Sequence, residues 1–379
     1  MLTHLKVTGF KAVKDSGSVA LDKLTLFIGR NGSGKSSFIE ALQWLQEATN
    51  EGLLAATDER FGSFDDLCNR RSTEIGLNMT LDSGPREVRY ELGVRPADER
   101  PIVSKEVCRE GRTSGTATTI QSRKLSSGRM TRSITGGNPV RDGDMLALAQ
   151  VTGTDARGAL RLLQYLRSAV FLRLSPTAMA QRGRLRKARG PMLDEEGRYL
   201  ASLLQDMTPS QREWVGAQVA IIIHGIEGVD VVEQGELGYF ATRERMKAQG
   251  GSKVFQIPSW LLSEGTRRLT AIFTLLAIQP RPSLIAIEEI ENGLDPWTLQ
   301  FVFQALRQAS DQGIQIIVTT HSPFLLDHVR PDEIIHVTRD KGDTCYTPIE
   351  QYKEVTRYKD MVAPGAMYIS EYFRKNKVS

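Results

Sequence analysis

The sequence predicts an α/β core whose two halves flank an inserted lobe, and three observations predict it. An apolar run, Leu24–Ile28, leads into Gly29-Arg-Asn-Gly-Ser-Gly34-Lys35-Ser36, and a helical pattern follows. From Ser252 onward, strand-like and helix-like segments alternate, the order of a parallel sheet. Between the two ends, residues 110–143 turn to Gly, Ser, Thr and Arg with few large apolar side chains.

The elements follow in order. His4–Val7 and Leu24–Ile28 are apolar runs bounded by turn residues and read as strands. A helix runs from Lys35 to about Ala48, with Phe38, Leu42 and Leu45 on one face. Ile75–Leu81, Glu87–Val94 and Ile102–Arg109 are strand-like, and residues 110–143 form a long loop or a polar hairpin pair. Asp144–Ser168 is helical in pattern, Ala169–Leu174 a strand, and Arg198–Asp206 a helix. Ser210–Ile223 is a helix or a buried strand. The closing alternation is strand Val254–Ile257, helix Thr266–Ile278, strand Ser283–Ile287, helix Trp297–Ala309 and strand Gln315–Thr319. The expected domains are an N-terminal core part at 1–95, an inserted lobe at 96–250 and a C-terminal core part at 251–379.

Composition narrows the class. The chain has 379 residues and a formal charge of +4, which permits contact with nucleic acid without demanding it. Cys68, Cys108 and Cys345 are odd in number and far apart, which argues against a disulfide framework or a zinc site and for a reducing compartment. The N-terminus lacks the apolar core of a secretion signal, and runs such as Ile272–Ile278 fall far short of the ~20 residues that span a bilayer. The expectation is a soluble cytoplasmic protein.

Four motifs carry chemistry. In the first, glycines let backbone N–H groups turn around a phosphate, and the helix start adds positive charge. Lys35 can neutralise phosphate oxygens and the Ser36 hydroxyl can ligate Mg²⁺. In the second, "SLIAIEEIENGLDPW", a strand ends in Glu288 and Glu289. One carboxylate can hold Mg²⁺ and the other polarise water, with strand alternation aiming them apart. The third, "LLSEGTRRLTAIF", places Ser263-Glu264-Gly265 at a helix start suited to an anion. The fourth, "IIVTTHSPFLL", puts His321 at a strand tip, where it can meet a phosphate or a water. Read alone, the third is an ordinary capped helix and the fourth a structural histidine.

Together these motifs resemble the ABC-type ATPase heads of the SMC, RecF and OLD group. "HLKVTGFKAVKD", "LSEGTRRLTAI", "IEEIENGLDP" and "VTTHSPFLLD" are similar to that group's opening strand, signature, Walker B with D-loop, and switch segment. The resemblance implies an ABC-type P-loop ATPase head with a mixed sheet and an inserted, partly helical lobe. It implies ATP and Mg²⁺ as cofactors. Gly29, Asn31, Gly32, Ser33, Gly34, Lys35, Ser36 and Ser37 would hold phosphates, with Lys11 near the α-phosphate. Ser36 and Glu288 would serve the metal, and Glu289 would be the catalytic base with His321 as switch. Ser263, Gly265 and Asp295 would complete the site of a second copy, making an ATP-dependent homodimer.

Departures are visible. Ile290 replaces the group's usual Pro, and no glutamine matches its Q-loop, Phe61–Asn69 being a poor fit. The SMC coiled coil and the OLD-type nuclease domain have no counterpart, so no nuclease activity is expected. Basic runs at Arg182, Arg184, Arg186, Lys187 and Arg189, and at Arg123, Lys124, Arg129 and Arg132, either contact DNA or are solvated loops. The expected role is an ATP-dependent clamp on DNA, in repair or anti-phage defence. The alternative is a scaffold that holds a separately encoded effector. Membrane association is not expected.

Overall fold

The computed structural model describes all residues except 83, 85, 98–99, 112–117, 127–128, 135–144, 153–155, 186–192, 249–250 and 374–379. The chain forms two compact units, Met1–Arg167 with Val329–Ser379, and Ser168–His328.

The first unit opens with β1 (Leu2–Phe10), β2 (Val13–Asp15), β3 (Val19–Ala20) and β4 (Leu24–Ile28). Helices α1 (Lys35–Glu51), α2 (Leu53–Phe61) and α3 (Phe64–Leu67) follow. Then come β5 (Ile75–Asp82), β6 (Glu87–Ala97), β7 (Arg100–Gly111), β8 (Thr118–Ser126), β9 (Arg129–Ile134) and α4 (Arg157–Arg167). An eight-stranded sheet runs β2-β1-β5-β6-β7-β8-β9, with β3 on β1, antiparallel throughout. Along β5, Ile75, Leu77, Met79 and Leu81 are buried and their neighbours more open, the period-two pattern of a half-buried strand. By contrast β4 is buried at all five residues, as its unbroken apolar run requires.

One expectation is resolved here and another changes. Of the polar hairpin and long loop offered for 110–143, β8 and β9 form the hairpin, paired from Ser126↔Arg129 outward. The helix expected over Asp144–Ser168 begins only at Arg157. Before it, Leu148–Gln150 is a tight 3₁₀ turn. The buried Glu106 carboxylate accepts the Ala147 and Leu148 N–H groups there, both at 2.8 Å, and so satisfies that turn from outside.

The second unit comprises β10 (Val170–Leu172), α5 (Pro176–Ala180), β11 (Gly183–Arg184), α6 (Leu200–Asp206) and α7 (Pro209–Ile222). It continues with β12 (Ile226–Gln234), β13 (Leu237–Ala248), β14 (Gly251–Pro258) and α8 (Glu264–Ala277). Last are β15 (Leu284–Ile287), α9 (Pro296–Asp311), β16 (Gln315–Thr320) and α10 (Pro323–Leu326). The ambiguous segment is a helix: Pro209 opens α7, and Thr208 and Gln211 form a capping box. Strands β10, β15 and β16 are parallel, whereas β11 to β14 form a separate antiparallel sheet.

The chain then returns to the first unit with β17 (Ile334–Asp340), β18 (Asp343–Pro348), α11 (Lys353–Tyr358) and α12 (Pro364–Ile369). Strand β17 lies parallel to β4, with His336 opposite Ile28, and β18 turns back antiparallel. Phe38 of α1 is buried against Phe27 and Tyr346, with ring centroids 5.3 and 4.8 Å away. Truncating it to Ala removes about 3–5 kcal/mol. This packing fixes the start of α1 on β4, and so fixes the loop between them.

Candidate functional site

The loop from Gly29 to Ser36 is shaped by backbone. Gly32 and Gly34 have φ of 73° and 105°, a region open to glycine and costly for most residues. A Cβ on Gly29 would collide with the Val337 carbonyl, and one on Gly34 would lie 2.7 Å from the Thr344 side chain. Tyr346 donates to the Gly34 carbonyl at 2.8 Å, anchoring the loop from β18. Lys35 is buried and its ammonium donates to the Gly29 and Arg30 carbonyls at 2.7 and 3.2 Å. Asn31 and Gly32 are exposed, Ser36 is half-buried, and Ser33 and Ser37 are buried. The Ser33 hydroxyl is buried without a hydrogen-bond partner. A polar atom so placed fits an anion arriving over the loop.

Lys11 sits beside α1 rather than in the loop. Its φ is 47°, and its N–H donates to Leu67 O at 2.8 Å. Its ammonium reaches the Glu40 carboxylate at 2.6 Å and stands 5.1 Å from the Phe61 ring centre. Asn69 donates to the Lys11 carbonyl at 2.6 Å, so the segment that poorly matched a Q-loop props Lys11. Lys11, Asn69, Arg70, Arg71, Arg339, Lys341 and Gly342 line a cleft of about 370 Å³ with no carboxylate in its wall.

In the second unit, Glu288 and Glu289 follow the β15 tip. Their different aims come from the backbone, because β15 ends at Ile287 and strand alternation no longer applies. Glu289 has a left-handed φ of 48°, and its N–H donates to the Thr319 hydroxyl at 2.9 Å. Its carboxylate accepts from Asn292 at 2.7 Å and lies 3.7 Å from His321 Nε2. Glu288 is buried and takes the Arg173 guanidinium at 2.9 Å. Glu291 accepts from the Thr320 hydroxyl at 2.9 Å and from the His321 N–H, which seats the histidine. Thus Glu288, Glu289 and His321 share one strand-tip cluster.

Ser263 caps α8, its hydroxyl accepting the Thr266 N–H at 3.1 Å. A Cβ on Gly265 would come within 2.9 Å of the Gly293 carbonyl, so glycine permits that approach. Asp295 caps α9 through Thr298 N and Oγ1, at 3.0 and 2.6 Å. Those bonds hold its carboxyl below the usual carboxylate range. Ser263, Gly265, Asp295, His224 and Trp297 line a surface cleft of about 530 Å³. Below it Arg268 is buried with its Nε unpartnered. Burial lowers its pKa while Glu264, Glu289 and Glu291 oppose that shift.

Sequence reasoning missed Arg173, Thr319, Glu291 and Arg268. Thr319 and Glu291 lie inside the motifs that were read, whereas Arg173 meets Glu288 across 115 residues and left no local signal. Of the basic runs, Arg182 stacks on Trp260 and Tyr239 and Arg184 lies 3.7 Å from Glu236. Arg186, Lys187 and Arg189 lie outside the described residues, as do the side chains of Arg123, Lys124, Arg129 and Arg132. Among the described residues, no helix is long and apolar enough to cross a membrane.

Two family profiles match the chain, "AAA ATPase domain" over residues 1–84 and "AAA domain, putative AbiEii toxin, Type IV TA system" over 242–327. Among solved structures, an SMC head bound to the C-winged helix domain of ScpA aligns with a TM-score of 0.52 at 18% identity. That alignment covers 91% of this chain and 96% of the other. The chain has the fold of an SMC head, that of ABC-type P-loop ATPases. The Pyrococcus furiosus Smc head with an extended coiled coil, bound to the C-terminal domain of ScpA, aligns with a TM-score of 0.51 at 15% identity, covering 99% of each chain. Curated relatives match shorter stretches of the chain. The energy-coupling factor transporter ATP-binding protein EcfA of Methanocaldococcus jannaschii is 28% identical over 135 residues, 35% of this chain and 47% of its own. ABC transporter G family member 53 of Oryza sativa is 30% identical over 105 residues, 27% of this chain and 7% of its own. The chain therefore spans under half the length of either curated relative.

Proposed function

We propose that this ATPase binds and hydrolyses ATP with Mg²⁺ and works as an ATP-dependent dimerising clamp on DNA. The loop residues and Lys11 take the nucleotide, and Ser36 and Glu288 serve the metal. Mg²⁺ suits one buried carboxylate, a hydroxyl and phosphate oxygens, and needs no protein-only cage. When bound, it neutralises charge on the phosphates. Glu289 accepts the proton of the attacking water, and His321, 3.7 Å away, orients that carboxylate.

The observation that carries the dimer is the cleft holding Ser263, Gly265 and Asp295 on the surface of the second unit. A helix-start anion site there serves a phosphate brought by another copy. The test is Glu289→Gln with ATP and Mg²⁺ in light scattering. A dimer is expected, and a monomer overturns the clamp. DNA is the favoured ligand, and absence of ATP-dependent duplex binding at low salt removes it. The toxin–antitoxin wording of the profile over 242–327 favours a second reading, a scaffold for a separately encoded effector. Stoichiometric co-purification of such an effector would select it.

A further inference from the structure

We infer that Arg173 is a displaceable stopper on Glu288, holding the metal carboxylate until a divalent cation takes its place. The inference rests on the reading of Glu288 as the metal carboxylate. Both residues stand at the tips of neighbouring parallel strands, with Leu172 opposite Ile287. Backbone bonds fix the two positions: Glu288 N–H donates to Leu172 O at 2.8 Å and Arg173 N–H to Glu195 O at 2.9 Å. The side chains then close the remaining gap at 2.9 Å.

Their exposures differ sharply. The Glu288 side chain is 5% exposed and that of Arg173 55%. A buried carboxylate without a counter-charge is costly, so Glu288 needs a cation at all times. A divalent ion on the same oxygens would put positive charge within a few ångströms of the guanidinium, and the two repel. Glu288 is enclosed and cannot leave, whereas the Arg173 side chain is already more than half in solvent and can swing outward. Cation and arginine therefore compete for one carboxylate, and the arginine weakens apparent cation affinity by its own hold on Glu288. Arg173 acts through Glu288 and is a positioning residue.

The experiment is a Mn²⁺ titration of the full chain with a non-hydrolysable ATP analogue, following free Mn²⁺ by electron paramagnetic resonance. Arg173→Ala is expected to tighten the apparent Mn²⁺ Kd about five- to tenfold, the scale of losing a half-exposed charge-assisted bond. Arg173→Lys is expected to restore the wild-type value in large part. In a Glu288→Gln background, Arg173→Ala is expected to change nothing. An unchanged or weaker Kd in Arg173→Ala, with the analogue bound, overturns the stopper alone. A wild-type chain that binds no analogue overturns the nucleotide reading beneath it. A merely structural arginine would lower the melting temperature without tightening Mn²⁺. Should Arg173→Ala not fold, Arg173→Gln keeps the side-chain volume and is expected to tighten the Kd likewise.

Discussion

The phosphate loop of the first unit and the acidic tip of the second are built by opposite means. Around the loop the backbone does the shaping: two left-handed glycines, a carbonyl held by Tyr346 and a lysine folded onto the carbonyls of Gly29 and Arg30. At the tip, side chains do it: Arg173 on Glu288, His321 near Glu289 and Thr320 on Glu291. A backbone-made site is fixed once the fold is fixed. A site made by paired charges can be re-paired, and a carboxylate that gives up one cation can take another. The two motifs are thus shaped by different materials in one chain.

The largest effect expected of this contrast is at the tip. Glu289→Gln should slow ATP hydrolysis about 10²–10⁴-fold while leaving nucleotide affinity near wild type, read by phosphate release and by fluorescent-nucleotide titration. Equal losses in both would put Glu289 in binding and erase the contrast. At the loop, Lys35→Ala should cost about 10–100-fold in affinity, the scale of lost charge-assisted bonds. Affinity within twofold of wild type would remove Lys35 from the phosphate site.

A third effect tests the first unit by pH. His336 faces Ile28 from β17, and burial pulls its pKa down from 6.5 to about 4. The folded chain therefore resists its protonation and the unfolded chain does not. Stability contributed by the neutral form is full above pH 6.5 and is lost progressively as pH falls toward about 4, by about 3 kcal/mol. Denaturant melts of the wild type and His336→Phe between those limits should diverge toward acid, with the wild type losing more. Parallel curves would discharge His336 from this role. The smallest effect is Thr319→Val, which removes the hydroxyl under Glu289 N–H. It should lower the hydrolysis rate about tenfold and leave the melting point within a few degrees. No change in rate would show that the left-handed turn at Glu289 holds without it.

The loop and the acidic tip were legible because each is written in consecutive residues with a strand before it. The reading of α7 stayed open because Ser210–Ile223 is apolar without a clear period, and Pro209 with the Thr208–Gln211 box decides it. Strands β12 and β13 went unread. Gly228 and Gly238 interrupt their alternation, and their backbones lie against the Arg243 and Leu185 side chains. Arg173 was invisible for another reason. Its meaning comes from the register of β10 against β15, which no local pattern encodes.

The bond from Tyr346 to Gly34 ties residues 312 positions apart, and Thr344 reaches Ala12 across 332. Closing so long a span is slow and comes late in assembly. On a ribosome, the glycine loop emerges first, and its wall at β17 and β18 emerges about 300 residues afterwards. A nascent chain thus lacks the anchors that Tyr346 and Thr344 give the loop and Ala12 until β18 has been translated.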